Sequence, residues 1–446
     1  MTRASRLPLP AGNLAEPALA VAVVATLFWT LAQFFAAGYL PQPFFYEPSD
    51  TWMDWFNTAY WAHNAGAYDS WGTIYPPLSF VVLKYLTNGA CYATEGLSAR
   101  DCDWFGAVSL HVIFLLNAVL IWKSFRRIDS TTAIPRTIAL NIGMPMLFGL
   151  ERGNLVLLTL TFVLLAFGPL VRSARLRWVF AGLAINLKVY LIGSIFAYLL
   201  HRRWRWFEGA LLATILVYLV SFALLGAGTP WEIYSNISNY SSGFQAVSLL
   251  DLWYAGTYQP LISLLNSDSF PVAGMVGSRV ADFFSVALPL LIHLVQLTIL
   301  IAAAAAWLRP GVVPRHRTVF LAIAMALITA ESGGYTEVFL ILFVFMEPWR
   351  GIGSKYAIVI AYLLCLVGDI PIERVPPIVR DSFLGGRQVI AAYSVGIGPF
   401  IRPLLVLSLP FALSLVTIRA AWADCKASGR RSRSGLAPLI GTASLG

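Results

Sequence analysis

One acidic side chain in this sequence has a setting suited to proton transfer. Asp54 lies among the aromatic residues Trp52, Trp55 and Phe56 in the stretch MDWFNTAYWA. A carboxylate in a dry aromatic cleft can take the proton from an attacking hydroxyl group. The alternative is that Asp54 only favours the start of a helix, which is worth ~0.3–1 kcal/mol. We take Asp54 as the candidate catalytic base.

Two basic side chains are candidates for binding a donor phosphate. Arg152 follows Glu151 between two apolar runs, and Lys188 lies within an apolar segment. Cationic side chains in such places can hold a phosphate group. The alternatives are an ion pair between Arg152 and Glu151, and a Lys188 side chain that extends to the membrane surface.

Other polar residues are expected to contact the substrate. They are Asp69 and Tyr75 near the turn at Pro76-Pro77, Asn154 after Gly153, and Glu331 and Tyr335 in the segment ESGGYTE. Asp50 is interpreted as part of a helix cap. His63 has no second His or Cys at ligand spacing nearby, so neither a metal site nor a cofactor is predicted. The aromatic residues between 52 and 75 either form an interfacial belt or pack against sugar rings and an isoprenoid chain.

The composition places these residues in a membrane protein. The 446 residues are 58% hydrophobic and only 12% charged, and the mean hydropathy is +0.71. A soluble protein has about 25% charged residues. The net charge of +9 comes largely from short basic runs between apolar spans. Such runs are typical of cytoplasmic loops, so the lipid bilayer is a predicted partner and nucleic acid is not.

The apolar runs define the elements that must position the polar residues. A run of about 20 apolar residues crosses a bilayer, whereas the dozen after Pro77 are predicted to form an interfacial helix. The predicted parts are a cytoplasmic N-terminus (1–16), a first span (17–38), a first outer loop (39–103), outer loops at 227–278 and 369–395, and a basic, disordered cytoplasmic tail (420–446). The prediction is one all-α, multi-pass domain over 1–446. It has about twelve spans, both termini in the cytoplasm, and its polar loops on the outer face of a cell membrane.

Two segments are too short to cross twice at full length. Basic runs flank the segment 178–200 on both sides. Basic residues also flank the segment 318–348, which has polar residues at its centre. Two helical arms of about a dozen residues, each roughly 18 Å long, would form a hairpin with Lys188 at its tip. One straight span would instead leave Lys188 in mid-bilayer, at a cost of at least ~2.5–3.5 kcal/mol.

The cysteines divide by the side of the membrane on which they are predicted to lie. Cys91 and Cys102 share the first outer loop. An oxidising compartment would allow a disulfide between them, although two unpaired thiols remain an alternative. Cys365 and Cys425 are expected to stay reduced.

The order of these features resembles the C-type glycosyltransferases. The stretch MDWFNTAYWAHNAGAYDSWGTIYPPLSFVVL is most similar to glycosyltransferase family 87, which includes polyprenol-phosphate-mannose-dependent mannosyltransferases. The matching residues are Asp54, Tyr60, Ala62, Gly66, Asp69 and Tyr75-Pro76-Pro77, then Gly153-Asn154, and Lys188 in AGLAINLKVYLIGSIFAYLLHRRWRW. The later stretch ALITAESGGYTEVFLILF is similar to a polar hairpin tip of the family, but lacks a His often found there.

This resemblance implies an activity and a set of roles. The donor would be a polyprenyl-phosphate-linked sugar, with mannose the first expectation, and the acceptor a glycolipid or glycan. Asp54 would be the base, and Lys188 would lie near the donor phosphate. Two other classes stay open: a lipid-linked-sugar flippase or transporter, built from repeated broken helices, and a polysaccharide polymerase that depends on Arg374, Arg380 and Arg387.

Overall fold

Helices dominate the structure, as the composition predicts. The computed structural model describes residues 14–434, apart from 46, 244–251, 268–273, 275, 330, 375 and 393. In this part of the chain, six helical segments are long and apolar enough to cross a membrane. They comprise α1 (Ala15–Ala37), α5 (Trp104–Ile128), α6 with α7 (Ala133–Ile142 and Met144–Arg152), α11 (Trp204–Leu225), α14 (Ser278–Leu308) and most of α18 (Gly398–Ser434).

Shorter helices fill the space between the long ones. They are α2 (Met53–His63), α3 (Pro77–Leu86), α4 (Gly96–Cys102), α8 (Val156–Phe167), α9 (Ala174–Ile185), α10 (Gly193–Leu200), α12 (Pro230–Gly243), α13 (Gln259–Leu265), α15 (Arg315–Leu327), α16 (Glu337–Val344) and α17 (Ile352–Leu364). Short 3-10 turns lie at Pro48–Asp50, Gly89–Cys91, Val189–Ile192 and Gly334–Thr336. Several of the short helices are buried on all sides, notably α8 and α16.

The long helices turn apolar side chains outward. On α11, the exposed side chains include Leu216, Leu219 and Leu224, whereas the buried ones include Ala210 and Thr214. A water-soluble protein would place these leucines in its core. The inverted arrangement is that of a helix with small residues at its protein interface and large apolar residues facing lipid.

Helices α9 and α10 form a hairpin beside α11. A Cβ added at Gly182 would meet the backbone of Ala213 at 3.0 Å, and one added at Gly209 would meet Trp178. The earlier residue of α9 (Trp178) contacts the earlier residue of α11 (Gly209), and the later one (Gly182) contacts the later one (Ala213), so the two helices run parallel. Helix α10 runs back beside them, and its Tyr198 stacks on Trp206 near the start of α11. Lys188 therefore lies in the turn of the hairpin.

Helices α15 and α16 form a second hairpin. Arg317, in the first turn of α15, pairs with Glu347, which follows α16, at 2.5 Å. The turn that joins the two helices contains Glu331 and Tyr335. A Cβ added at Gly193 of α10 would meet the carbonyl oxygen of Ala322 in α15 at 2.8 Å, so the two hairpins pack closely together.

Buried ion pairs join the elements at the end of the bundle where arginines gather. The guanidinium of Arg136 donates to both carboxylate oxygens of Glu16, at 2.7 and 2.8 Å, and to the carbonyl oxygens of Phe345 and Glu347. The side chains of Arg136 and Glu16 are 2% and 0% exposed. Glu347 in turn accepts hydrogen bonds from His316 and Arg317.

Removing one partner of this network should destabilise the fold. We expect Arg136→Met to lower the free energy of unfolding by about 3–5 kcal/mol, because the Glu16 carboxylate would lose its buried counter-charge. Unfolding in mixed detergent micelles, followed by tryptophan fluorescence, measures the change. Arg172→Met is the control, since Arg172 is exposed. A loss below about 1 kcal/mol, the range of surface pairs, would contradict the assigned role.

Two features differ from the all-α prediction. Residues 371–396 contain two antiparallel strand pairs, β1 (Pro371–Arg374) with β4 (Ser394–Gly396), and β2 (Ile378–Asp381) with β3 (Gln388–Ala391). This segment is rich in β-branched residues, which suit paired strands. The basic tail, predicted to begin near 420 and to be disordered, continues α18 through Ser434. Asp424 pairs with Arg309 at 3.5 Å and ties this extension to the end of α14.

The segment predicted as the first outer loop folds into a cap of short elements. The sulfur atoms of Cys91 and Cys102 are bonded to each other. Next to them the buried Asp103 carboxylate accepts hydrogen bonds from the Tyr92 hydroxyl and the Gly106 amide, at 2.7 and 2.8 Å. This cross-linked base supports α2, the helix that carries Asp54.

Candidate active site

Asp54 is fixed by a close contact between the start of α2 and the turn after α7. Trp52 adopts a left-handed conformation (φ 64°), and its amide donates to the carbonyl oxygen of Glu151 at 2.7 Å. Gly153 is also left-handed (φ 64°), and a Cβ there would lie 3.0 Å from the Trp52 backbone and from the Trp55 side chain. Only glycine fits this position without displacing α2. The two segments therefore hold each other in register.

This register directs two side chains of the α7–α8 turn at the Asp54 carboxylate. Arg152 Nη2 donates to one carboxylate oxygen of Asp54 at 3.0 Å, and Asn154 Nδ2 donates to the other at 2.6 Å. The Asp54 side chain stays 23% exposed. A carboxylate has about four lone-pair positions, so two remain for an incoming hydroxyl group. Asp54 is oriented and still accessible, as a general base must be.

The partners of Arg152 differ from the sequence-based alternatives. Its Nη1 atom pairs with Asp50 at 2.8 Å, and the guanidinium lies 4.4 Å above the ring of Phe45. The alternative pairing with Glu151 does not form: among the described residues, the Glu151 side chain is buried and its carboxylate oxygens have no hydrogen-bond partner. Asp50 is likewise not a helix cap, since it lies in a 3-10 turn and pairs with Arg152.

Lys188 provides a buried cation next to this carboxylate. Its side chain is only 8% exposed. Its Nζ atom donates to the Tyr75 hydroxyl at 3.4 Å and lies above the rings of Tyr75 and Tyr335, at 4.6 and 5.7 Å from their centroids. Burial lowers the pKa of Lys188 to about 8, although the negative charge of Asp54 opposes this shift. Among the described residues, no carboxylate lies within ion-pair distance of the ammonium, so it is available to a ligand anion.

Tyr75 joins the two halves of the site. The Asn154 amide that holds Asp54 is also within hydrogen-bonding reach of the Tyr75 hydroxyl. Burial and the nearby Asp54 charge raise the pKa of Tyr75, so its hydroxyl keeps its proton. A continuous path of polar side chains therefore runs from Asp54, the candidate base, through Asn154 and Tyr75 to Lys188, the candidate phosphate-binding residue.

A cavity of about 300 Å³ opens beside Lys188. Its lining includes Tyr75, Tyr190, Tyr240, Glu331 and Tyr335. Glu331 accepts a hydrogen bond from the Thr257 hydroxyl at 3.0 Å. Burial raises the pKa of Glu331 to about 8, against the opposing effect of that hydrogen bond, so the carboxyl group is largely protonated at neutral pH. A volume of this size is typical of small-molecule sites.

Four aromatic rings, which we call the aromatic wall, extend from Tyr335 in the lining of this cavity to α7. Phe148 is its centre, with Phe45 and Tyr335 stacked at 5.9 and 6.0 Å, and Tyr254 packed edge-on at 4.5 Å. Phe45 lies below Arg152 and Tyr335 lies below Lys188. The wall thus fixes the two cations relative to each other.

Most of the predicted site residues come together, and a few do not. The cluster described above contains Asp54, Arg152, Asn154, Tyr75, Lys188, Glu331 and Tyr335. Asp69 is exposed and accepts a hydrogen bond from the neighbouring Ser70 amide, so it is a turn residue and not part of the cluster. His63 bonds the Thr87 hydroxyl at 2.9 Å and stacks on Tyr92. Within residues 14–434 as described, no three His, Cys, Asp or Glu side chains are arranged to hold a metal ion.

No family model, curated protein or solved structure matches this chain. An oriented carboxylate, a buried ammonium and a largely apolar aromatic cavity can accept a proton at one end and hold an anionic leaving group at the other.

Several residues of this region carry no local sequence signal. Phe45, Phe148 and Tyr254 form the aromatic wall from three distant segments, and an aromatic residue in a membrane protein is ordinarily part of an interfacial belt. Glu337 and Arg402 were also missed. Both are ionisable residues in apolar helices, and that alone is a signal of function. They are the basis of the further inference below.

Proposed function

We propose that this protein is an integral membrane glycosyltransferase that transfers a hexose from a polyprenyl-phosphate-linked donor to a lipid-linked or glycan acceptor. One observation supports this most: the Asp54 carboxylate, held by Arg152 and Asn154, lies next to Lys188, a buried cation at the edge of an aromatic cavity. Displacement of a phosphate by a hydroxyl group requires these two functions, at the two ends of the reacting centre.

The proposed reaction is a single displacement with inversion. Asp54 takes the proton of the acceptor hydroxyl as its oxygen bonds to the anomeric carbon of the donor. The bond between that carbon and the phosphate oxygen breaks, and the lipid phosphate leaves with the electron pair. Lys188 stabilises the negative charge that develops on the leaving oxygen. Protonated Glu331 and the phenols of Tyr75 and Tyr335 are placed to hydrogen-bond the sugar.

Arg152 has a different role in this proposal from the one the sequence indicated. Two of its terminal nitrogens already donate to Asp50 and Asp54. It is therefore a positioning residue that orients the base and keeps the base ionised. The phosphate is assigned to Lys188 alone among the cations described around the cavity.

The proposal includes a topology. The arginines near the ends of α8 to α11 and at the start of α15 gather at one end of the bundle, and Asp54 lies at the other. Cytoplasmic ends are rich in arginine and lysine, so the site would face the periplasm or exoplasm, with both termini cytoplasmic. The hairpins and long helices together would give about twelve passages and a C-type glycosyltransferase fold in the cell membrane.

Transfer of label from defined donors tests the function. Membranes that contain the protein are incubated with polyprenyl phosphates carrying radiolabelled mannose, glucose or galactose, and the products are separated by chromatography. We expect one sugar, mannose first, to move to a more polar lipid or glycan in membranes with the protein and not in membranes without it. Label that changes leaflet while staying on the donor would indicate a flippase instead. Transfer from a nucleotide sugar with purified protein would contradict the proposed donor.

A further inference from the structure

A second pair of cavities lies on the far side of the aromatic wall. One, of about 350 Å³, is lined by residues that include Tyr39, Gln42, Trp253 and Ser394. The other, of about 430 Å³, extends between α1, the end of α17 and the start of α18. Gln33 and Asp369 line both cavities, so the two form one continuous groove, which we call the α1–α18 groove.

An open pair of polar groups lies where the two cavities meet. The Asp369 carboxylate uses one oxygen to accept the amides of Ile370 and Gly398, at 2.7 and 2.8 Å. Within the described part of the chain, its other oxygen is buried and has no hydrogen-bond partner, and the same is true of Nη1 of Arg402, whose neighbour Nη2 is the nitrogen that faces Asp369. The Arg402 side chain is 8% exposed. Leaving such groups unpaired costs free energy, and a ligand that pairs them recovers it.

The space between these groups suits a hydroxyl group. A Cβ added at Gly398 would lie 2.5 Å from the free oxygen of Asp369 and 2.6 Å from Nη2 of Arg402. The two side chains thus lie on either side of the position that a Gly398 side chain would occupy, and they do not form an ion pair. One hydroxyl group placed between them can donate to the carboxylate and accept from the guanidinium.

The charges near this pair favour a neutral ligand over a phosphate. Glu337 is buried, and neither of its carboxylate oxygens has a hydrogen-bond partner. Asp369 is the carboxyl group that faces Arg402 across Gly398, so its negative charge balances that of the guanidinium. A phosphate would find no excess positive charge there, whereas a hydroxylated headgroup can use donors and acceptors together. Arg402 also lies 4.2 Å above the ring of Tyr254, the outer face of the aromatic wall.

The remainder of the groove is apolar and reaches the outside of the bundle. Trp29 of α1 and Ile401 of α18 line it and are 66% and 41% exposed, and Leu364, Leu366 and Leu405 line its interior. Helices α1 and α18 both pack against α17, which forms the floor between them. A side opening of this kind suits an acyl chain that stays partly in the bilayer.

From these observations we infer that the α1–α18 groove binds a glycolipid. A headgroup hydroxyl lies between Asp369 and Arg402, the sugar lies against Trp253 and Tyr39, and an acyl chain lies between α1 and α18. The inference rests on the proposed function only in identifying this glycolipid as the acceptor. The acceptor would then approach Asp54 from one side of the aromatic wall and the donor from the other.

Photolabelling of the intact protein in nanodiscs tests this binding. The probe is monoglucosyl diacylglycerol with a diazirine in one acyl chain, and the comparison probe is the same diacylglycerol without the sugar. We expect the glycolipid to label α1 and α18 peptides, and unlabelled glycolipid to compete. Gly398→Ala should reduce labelling about tenfold, because its methyl group fills the space for the hydroxyl. Gly311→Ala should have no effect, since nothing lies within 4 Å of a Cβ there.

Further variants separate the possible outcomes. Arg402→Gln keeps a similar shape and should also lower labelling, even if Gly398→Ala fails to fold. Asp54→Asn should label like the unmodified protein, so that binding in this groove is distinguishable from a failure of transfer at Asp54. Equal labelling by the two probes, or full labelling of Arg402→Gln, would overturn the inference. Labelling with no transfer of sugar would support this site and contradict the proposed activity.

Discussion

An Asp54→Asn variant is expected to lose about 10²–10⁴-fold in kcat for sugar transfer. The amide has nearly the shape of the carboxylate and can still accept a hydrogen bond from Arg152 or Asn154, but it cannot take the proton of the acceptor hydroxyl. Initial rates of label transfer in reconstituted liposomes, at saturating donor, measure the effect. The KM for the donor should change little, because Asp54 is placed at the acceptor end of the site.

Asp69→Asn is the matched control for this substitution. It removes a carboxylate from the same cap, but Asp69 is exposed and its described contact is a hydrogen bond from the next amide. Its transfer rate should stay within about twofold of the unmodified protein, in the range expected of a change at the surface. If Asp54→Asn were as active as Asp69→Asn, Asp54 could not be the base.

The second large effect is expected at Lys188. Lys188→Met keeps the length of the buried side chain and removes its charge, so the donor phosphate would lose its stabilising cation. We expect kcat/KM for the donor to fall about 10²–10³-fold, as when one oxyanion ligand is removed from an active site. Lys84→Met is the control, because Lys84 is an exposed lysine on α3.

The pH dependence gives an independent test of the same residue. The pKa of Lys188 is about 8, below its ordinary value of 10.5. The free enzyme should therefore keep its cation below pH 8, and kcat/KM should fall tenfold per pH unit above it. This loss would not come from unfolding at Lys188. Because the folded pKa is the lower one, the burial penalty is present below pH 8 and disappears as the pH rises toward 10.5. A Lys188→Met profile with the same alkaline limb would contradict the assignment.

The sequence predicts which charged residues belong to this site better than it predicts which of them contact each other. Asp54, Arg152 and Lys188 can each be chosen locally, because a charged residue in an apolar chain has few structural uses. That Arg152 would bind Asp54 and Asp50 rather than Glu151 depends on the contact between Gly153 and Trp52, which are about a hundred positions apart in the chain. Glu151 is adjacent in sequence, but neighbouring residues of a helix do not face each other.

The same limit explains what was missed. Arg402, Tyr254 and Glu337 meet only when two helices pack against the turn that contains Tyr254. The strand pairs in 371–396 were missed for another reason. A membrane composition favours helices throughout, although short strands are stable outside the hydrocarbon where water can satisfy their free edges. The extended end of α18 was missed because a basic tail is typical of disorder, while its alanines and arginines are also good helix formers.

The short hairpins have a consequence for how a lipid substrate would reach the site. Helix α9 has 12 residues and α10 has eight, so their arms rise only about 18 and 12 Å. In the proposed topology, Lys188 at their turn lies lower than the ends of the full-length helices around it. Every methylene group that leaves a bilayer costs about 0.8 kcal/mol. A phosphate ligand at this depth can therefore meet a polyprenyl phosphate near its resting level, with most of the isoprenoid chain still in the bilayer.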